Sequence, residues 1–138
     1  MNRPEKVLAK SKEYIDRCDQ FTLFVVIIRQ KTLIDFFERD FSNNNDDEYT
    51  DISELKNSFD YALSSVKRFI PEIKDVEDKE VSKTPAFRAL YNRYVGFYCN
   101  KFSIEERQVI EAKIDNGEVF GESSLDKNGI PYQYVEKQ

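Results

Sequence analysis

The chain has 138 residues, 40% of them apolar and 14% aromatic, with 21 Lys and Arg against 26 Asp and Glu and no histidine. That length suits one ordinary domain with its own core, and the apolar content is too high for a disordered chain. The missing histidines exclude a Ser-His-Asp triad, a Cys-His pair, His-ligated zinc and a histidine acid–base catalyst, and a pI near 4.9 argues against non-specific coating of nucleic acid.

Only four Gly and four Pro occur, which disfavours a turn-dense β sandwich and favours helices. Cys18 and Cys99 stand apart without a C-x-x-C, so each is expected to be a small apolar packing residue, buried or half-buried. No apolar segment follows the charged start from Met1 to Lys6, so no signal peptide is expected. The most apolar run, Phe21 to Ile28, is far shorter than the roughly 20 residues of a membrane crossing. Together these features predict a cytoplasmic protein without a membrane partner.

Residues 4 to 41 read as helix. Val7, Leu8, Ser11, Tyr14, Ile15 and Cys18 recur at three- and four-residue steps, and a second stripe runs through Phe24, Ile27 or Ile28, Ile34, Phe37 and Phe41. The run from Leu23 to Ile28 is apolar on all sides, which predicts a central buried helix, with a β-strand as the competing assignment. Residues 42 to 51 read as a polar, acidic loop. Asp46, Asp47 and Glu48 are its candidate contacts for a basic protein partner. Their spacing lacks the alternate oxygens, central Gly and terminal Glu of a calcium loop, so no metal site is expected.

Asp51 and Glu54 have capping-box spacing, and Ile52, Leu55, Phe59, Leu63, Val66 and Phe69 then draw an apolar stripe that Pro71 stops. Residues 71 to 83 read as a charged connector. Thr84 before Pro85 predicts an N-cap followed by Pro at the first helical position, with Phe87, Leu90, Tyr91, Tyr94, Val95 and Tyr98 as the inner face. Residues 42 to 84 carry 6 basic and 11 acidic groups, whereas residues 85 to 100 carry Arg88 and Arg93 and no acid. Those two arginines among aromatics are candidates for phosphate contact and base stacking.

Residues 101 to 138 carry the most ordered set of signals, behind a bundle expected over 1 to 100. Ser103 and Glu106 form a capping box, and Asn116-Gly117 predicts a left-handed helix end. A second break follows at Asn128-Gly129, ahead of Ile130-Pro131-Tyr132-Gln133-Tyr134-Val135. Phe102 to Ile110, Lys113 to Gly117 and Asn128 to Val135 resemble the helix-turn-helix of sigma-factor region 4 and of the ArpU-type phage late-gene regulators. The resemblance implies a recognition helix from Pro131 to Gln138. Tyr132, Gln133 and Lys137 would then contact bases and phosphates, and the partner would be DNA or RNA polymerase. The same letters also fit a β-hairpin over 118 to 136, because Asn-Gly is a strong two-residue turn signal and the flanking residues alternate.

The expected architecture is therefore mainly α, a compact bundle of about five helices whose C-terminal end is either a helix-turn-helix or a small hairpin. The expected function is a small non-catalytic regulator that binds DNA or RNA polymerase. The alternative is an acidic inhibitor or immunity protein directed at a basic protein. No carboxylate pair has catalytic spacing, so neither an enzyme nor a cofactor is expected.

Overall fold

The computed structural model of the chain describes residues 3–41 and 46–135. Among them lie five α-helices: α1 (Arg3–Arg17), α2 (Gln20–Phe41), α3 (Asp46–Ser65), α4 (Pro85–Lys101) and α5 (Ile104–Asp115). Short 3-10 turns span Val66–Phe69, Pro71–Ile73, Asp78–Lys83, Glu122–Ser124 and Tyr132–Tyr134. The chain is thus mainly α, as composition and periodicity predict. No described helix is long and apolar enough to cross a membrane.

Helix α2 is the axis of the bundle. Every residue from Phe21 to Ile28 is buried, so a run that is apolar on all sides meets protein on all sides. Helices α3 and α4 pack on it, and α1 packs on α3. The α1–α3 approach is close because small residues face each other there: Ser11 Oγ and Ser58 Oγ are hydrogen-bonded, and Ala62 is fully buried one turn on. Phe24 stacks on Tyr94 at a ring separation of 4.6 Å and on Phe87 at 6.1 Å, which ties α2 to α4.

The single helix expected over 4 to 41 is in fact two. Asp19 breaks it by capping α2: its carboxylate accepts from the Thr22 backbone N–H at 3.0 Å and from the Thr22 hydroxyl at 2.5 Å. The freed carbonyls at the end of α1 are met by Arg68, which donates to Ile15 O at 2.6 Å and to Cys18 O at 2.7 Å.

The acidic loop expected over 42 to 51 is shorter than its composition implies. Helix α3 already runs from Asp46, so Asp51 lies within it and does not cap it; residues 42–45 lie outside the described set. Acidic side chains in a first turn are favoured by the helix dipole, so the run that was expected to lead into the helix is already part of it. The stripe ends differently too, since α3 stops at Ser65 and continues as a 3-10 turn to Phe69, ahead of Pro71. Residues 71 to 83 are charged, yet Ile73 and Val81 from this connector are buried in the core.

The remaining caps follow the expectations. Thr84 Oγ1 accepts from the Phe87 N–H at 3.2 Å, and Ser103 and Glu106 satisfy each other's backbone N–H groups. Gly117, at φ +78°, ends α5, with the Glu118 N–H donating to Lys113 O at 2.9 Å.

After α5 both competing expectations need correction. Between Glu118 and Val135 there is no α-helix, so the recognition helix expected from Pro131 is a single 3-10 turn over Tyr132–Tyr134; residues 136–138, including Lys137, lie outside the described set. Nor is there a hairpin of paired strands, only a tight reversal closed by one bridge between Leu125 and Pro131. The Asp126 carboxylate holds that reversal by accepting from the backbone N–H groups of Asn128 and Ile130. Gly129 sits at φ +79°, and a Cβ on it would stand 2.3 Å from Tyr94 Oη. That close approach is used: Tyr94 donates to Gly129 O at 3.0 Å and accepts from Gln20 Nε2 at 3.0 Å. The local signal was for a turn, and long-range contacts with α2 and α4 consume its backbone groups before a ladder or helix propagates.

Candidate functional site

The short link between α4 and α5 creates the most distinctive surface. Phe102 is buried at this corner, edge-on to Phe21, Phe97 and Tyr98 and 4.5 Å from the Tyr134 ring. The chain reverses around it, Ser103 caps the next helix, and α5 is drawn back over α2. Arg29 on α2 clamps this arrangement by pairing with Glu111 at 3.4 Å and Asp115 at 3.1 Å, both on α5.

The three helices enclose a groove of about 500 Å³. From α2 come Ile28, Arg29, Thr32 and Leu33, which share one helical face; from α4 come Tyr98 and Cys99; from α5 come Ile104, Arg107, Gln108 and Glu111. Ile28 and Tyr98 are buried and form the floor, whereas Leu33 is 42% and Ile104 63% exposed at the rim. Tyr98 is only 4% exposed, yet among the described residues its hydroxyl has no hydrogen-bond partner, and neither has Arg107 Nε. Burial, with Glu111 nearby, raises the Tyr98 phenol well above its ordinary range, so it stays protonated and can donate. Glu111 is engaged by Arg29, and Arg107 makes no ion pair among the described residues. The groove therefore sets two arginines against Glu111 in its lining, with Asp115 paired to Arg29, beside aliphatic surface.

Cys99 marks this groove chemically. It is exposed, not buried or half-buried as expected, because it falls on the open side of α4 beside Tyr98. Cys18 is buried, and burial together with the Asp19 charge pushes its thiol up to about 12. A neutral-pH thiol titration of the folded protein is expected to label Cys99 promptly and Cys18 only after denaturant is added. Equal rates for both thiols would contradict the placement of Cys18.

The residues singled out by sequence do not converge on this site. Arg88 and Arg93 are exposed on α4, and neither makes an ion pair among the described residues; Arg88 borders a second cavity of about 340 Å³ with Lys31, Phe59 and Tyr91. Tyr132 (64% exposed) and Gln133 lie on the last 3-10 turn, and no hydrogen bond or ring contact joins them to either arginine. Asp46, Asp47 and Glu48 form the first turn of α3, with side chains outside the described set. Among the described residues no group of three or more Cys, Asp and Glu is arranged to hold a metal ion. The sequence does not mark the groove, because Tyr98 reads as core and Arg107 as part of an amphipathic helix. Only the reversal at Phe102 brings them together.

No protein-family model matches this chain, and no curated protein and no solved structure matches it.

Proposed function

We propose that this protein is a small non-catalytic regulator that acts by binding, and that the groove between α2, α4 and α5 is its working surface. One observation carries the reading: Tyr98 and Arg107 line one groove, and their enclosed atoms Tyr98 Oη and Arg107 Nε have no hydrogen-bond partner among the described residues. Leaving a buried donor unmet costs about 1–3 kcal/mol, and native interiors satisfy the great majority of such groups. A pair of exceptions in one concavity is what a ligand site retains.

The test combines thermal melting with protection of Cys99 from a thiol reagent, across a panel of amines, sugars, nucleotides, carboxylic acids and duplex DNA. At least one class is expected both to raise the melting temperature and to slow Cys99 labelling, because a ligand that binds only the folded state stabilises it. If no compound does both, the groove is not the working surface. DNA that binds without protecting Cys99, and loses affinity in an Arg88→Ala/Arg93→Ala variant, would move the working surface to the exposed side of α4.

A further inference from the structure

Beyond the groove, we infer that the cavity between α2, α3 and α4 holds a flat aromatic compound with a single negative charge, its ring among Phe59, Phe87 and Tyr91 and its anionic group at Arg88. Each helix brings two residues one turn apart to this cavity: Ile27 and Lys31, Phe59 and Leu63, Phe87 and Tyr91. It shares no lining residue with the groove. Ile27 and Phe87 are buried and form its floor, whereas Phe59, Leu63 and Tyr91 pack against the core and stay only partly buried. Phe87 and Tyr91 stack at 5.6 Å, with 16° between their rings. Rings that border an open space favour a further ring over a flexible chain, because aromatic pairs gain beyond the area they bury. The volume, about 340 Å³, lies at the small end of the range for ligand pockets and suits one or two fused rings.

The rim decides the charge. Lys31 and Arg88 line the cavity, and among the described residues none of those lining it is Asp or Glu, in a chain of net charge −5. Lys31 is taken by Asp35 at 2.8 Å, one turn along α2. Arg88 is exposed and makes no ion pair among the described residues, so a head group at the mouth of the cavity reaches it directly. One guanidinium is left for the occupant, and it matches one negative charge. An amine is repelled, and the second charge of a dianion would meet only a lysine already neutralised by Asp35. The aromatic surface that the sequence sets beside Arg88 is thus completed from α3, through Phe59.

The experiment measures calorimetric affinity for 2-naphthoate, 2-naphthalenemethanol, 2-naphthyl phosphate and octanoate, with Cys99 labelling in parallel. 2-Naphthoate is expected to bind about fivefold more tightly than the uncharged alcohol, and Arg88→Gln to abolish that difference. Arg93→Gln, on the same helix but outside the cavity, is expected to leave it unchanged. Tyr91→Leu, which removes the ring but keeps apolar bulk, is expected to weaken 2-naphthoate about fivefold. Near-ultraviolet circular dichroism and melting of the unliganded variants establish that all are folded. An affinity for 2-naphthoate that Arg88→Gln leaves unchanged overturns the inference, as does tighter binding of octanoate or of 2-naphthyl phosphate. Cys99 separates this site from the groove: 2-naphthoate bound here leaves the thiol as reactive as in the free protein. If 2-naphthoate slows Cys99 labelling, it occupies the groove, and this inference falls while the groove reading stands. If no probe binds, this inference falls, and the groove reading keeps its own test.

Discussion

Replacing Phe24 with alanine is expected to lower the stability of this protein by about 3–5 kcal/mol, the cost typical of emptying a fully enclosed aromatic site. The side chain is completely buried on α2 and stacks on two rings of α4, nearly parallel to Tyr94 with an interplanar angle of 11°. The loss has two parts: the apolar surface no longer withdrawn from water, and the cavity left between Tyr94 and Phe87, which those rings fill only in part. Domains of this kind are stable by about 5–15 kcal/mol, so the variant would keep its fold with a melting temperature lower by roughly 10–20 °C. Urea denaturation measures this directly, and an unchanged m-value would establish that the native state and not the denatured ensemble was affected. Phe24→Leu is expected to cost less than half as much. A loss below about 1 kcal/mol for the alanine variant would mean that the α2–α4 ring stack is not the centre of the core.

The second large effect belongs to Asp19. Its buried carboxylate caps α2 through the Thr22 N–H and hydroxyl and also accepts from the Gly121 N–H at 3.1 Å, while Thr22 Oγ1 accepts from the Phe120 N–H at 3.2 Å. One acid thus starts the central helix and pins the segment after α5 to it. Asp19→Ala removes the cap and strands the Thr22 and Gly121 donors in a site closed to water, with an expected loss of about 3–4 kcal/mol. Asp19→Asn keeps one acceptor oxygen and is expected to lose about half of that. Hydrogen exchange supplies the local readout: the amides of Phe120 and Gly121 should lose protection in the alanine variant more than those in the middle of α3. Uniform loss across all elements would contradict the pinning role.

The two residues show what could be read without a structure and what could not. Phe24 is conspicuous in the sequence, because it sits in a run of apolar residues with no polar side to turn outward. Asp19 is an ordinary N-cap type, yet helical periodicity continues on both sides of it, and period alone cannot separate a break from a solvated position in one long helix. The same limit explains Asp51, whose spacing to Glu54 is that of a capping box although α3 starts earlier, at Asp46. Thr84 and Ser103 were legible because a proline in one case and a reciprocal Glu106 in the other leave the helix few other places to begin.

By itself the sequence determined the helical class, the central buried helix, the caps at Thr84 and Ser103 and the left-handed end at Gly117. All of these depend on neighbours within a few turns of the same chain, where spacing and residue type act directly. Tertiary structure decided the split at Asp19, the fate of residues 118 to 135 and the groove that joins Ile28, Tyr98, Ile104 and Arg107. Those features depend on groups separated by tens of residues. Tyr94 meets Gly129, and Arg29 meets Glu111, only after α5 has folded back at Phe102. An Asn-Gly turn signal carries no information about which carbonyl a distant tyrosine will take, and a buried phenol looks like any other core aromatic until its hydroxyl is found without a partner.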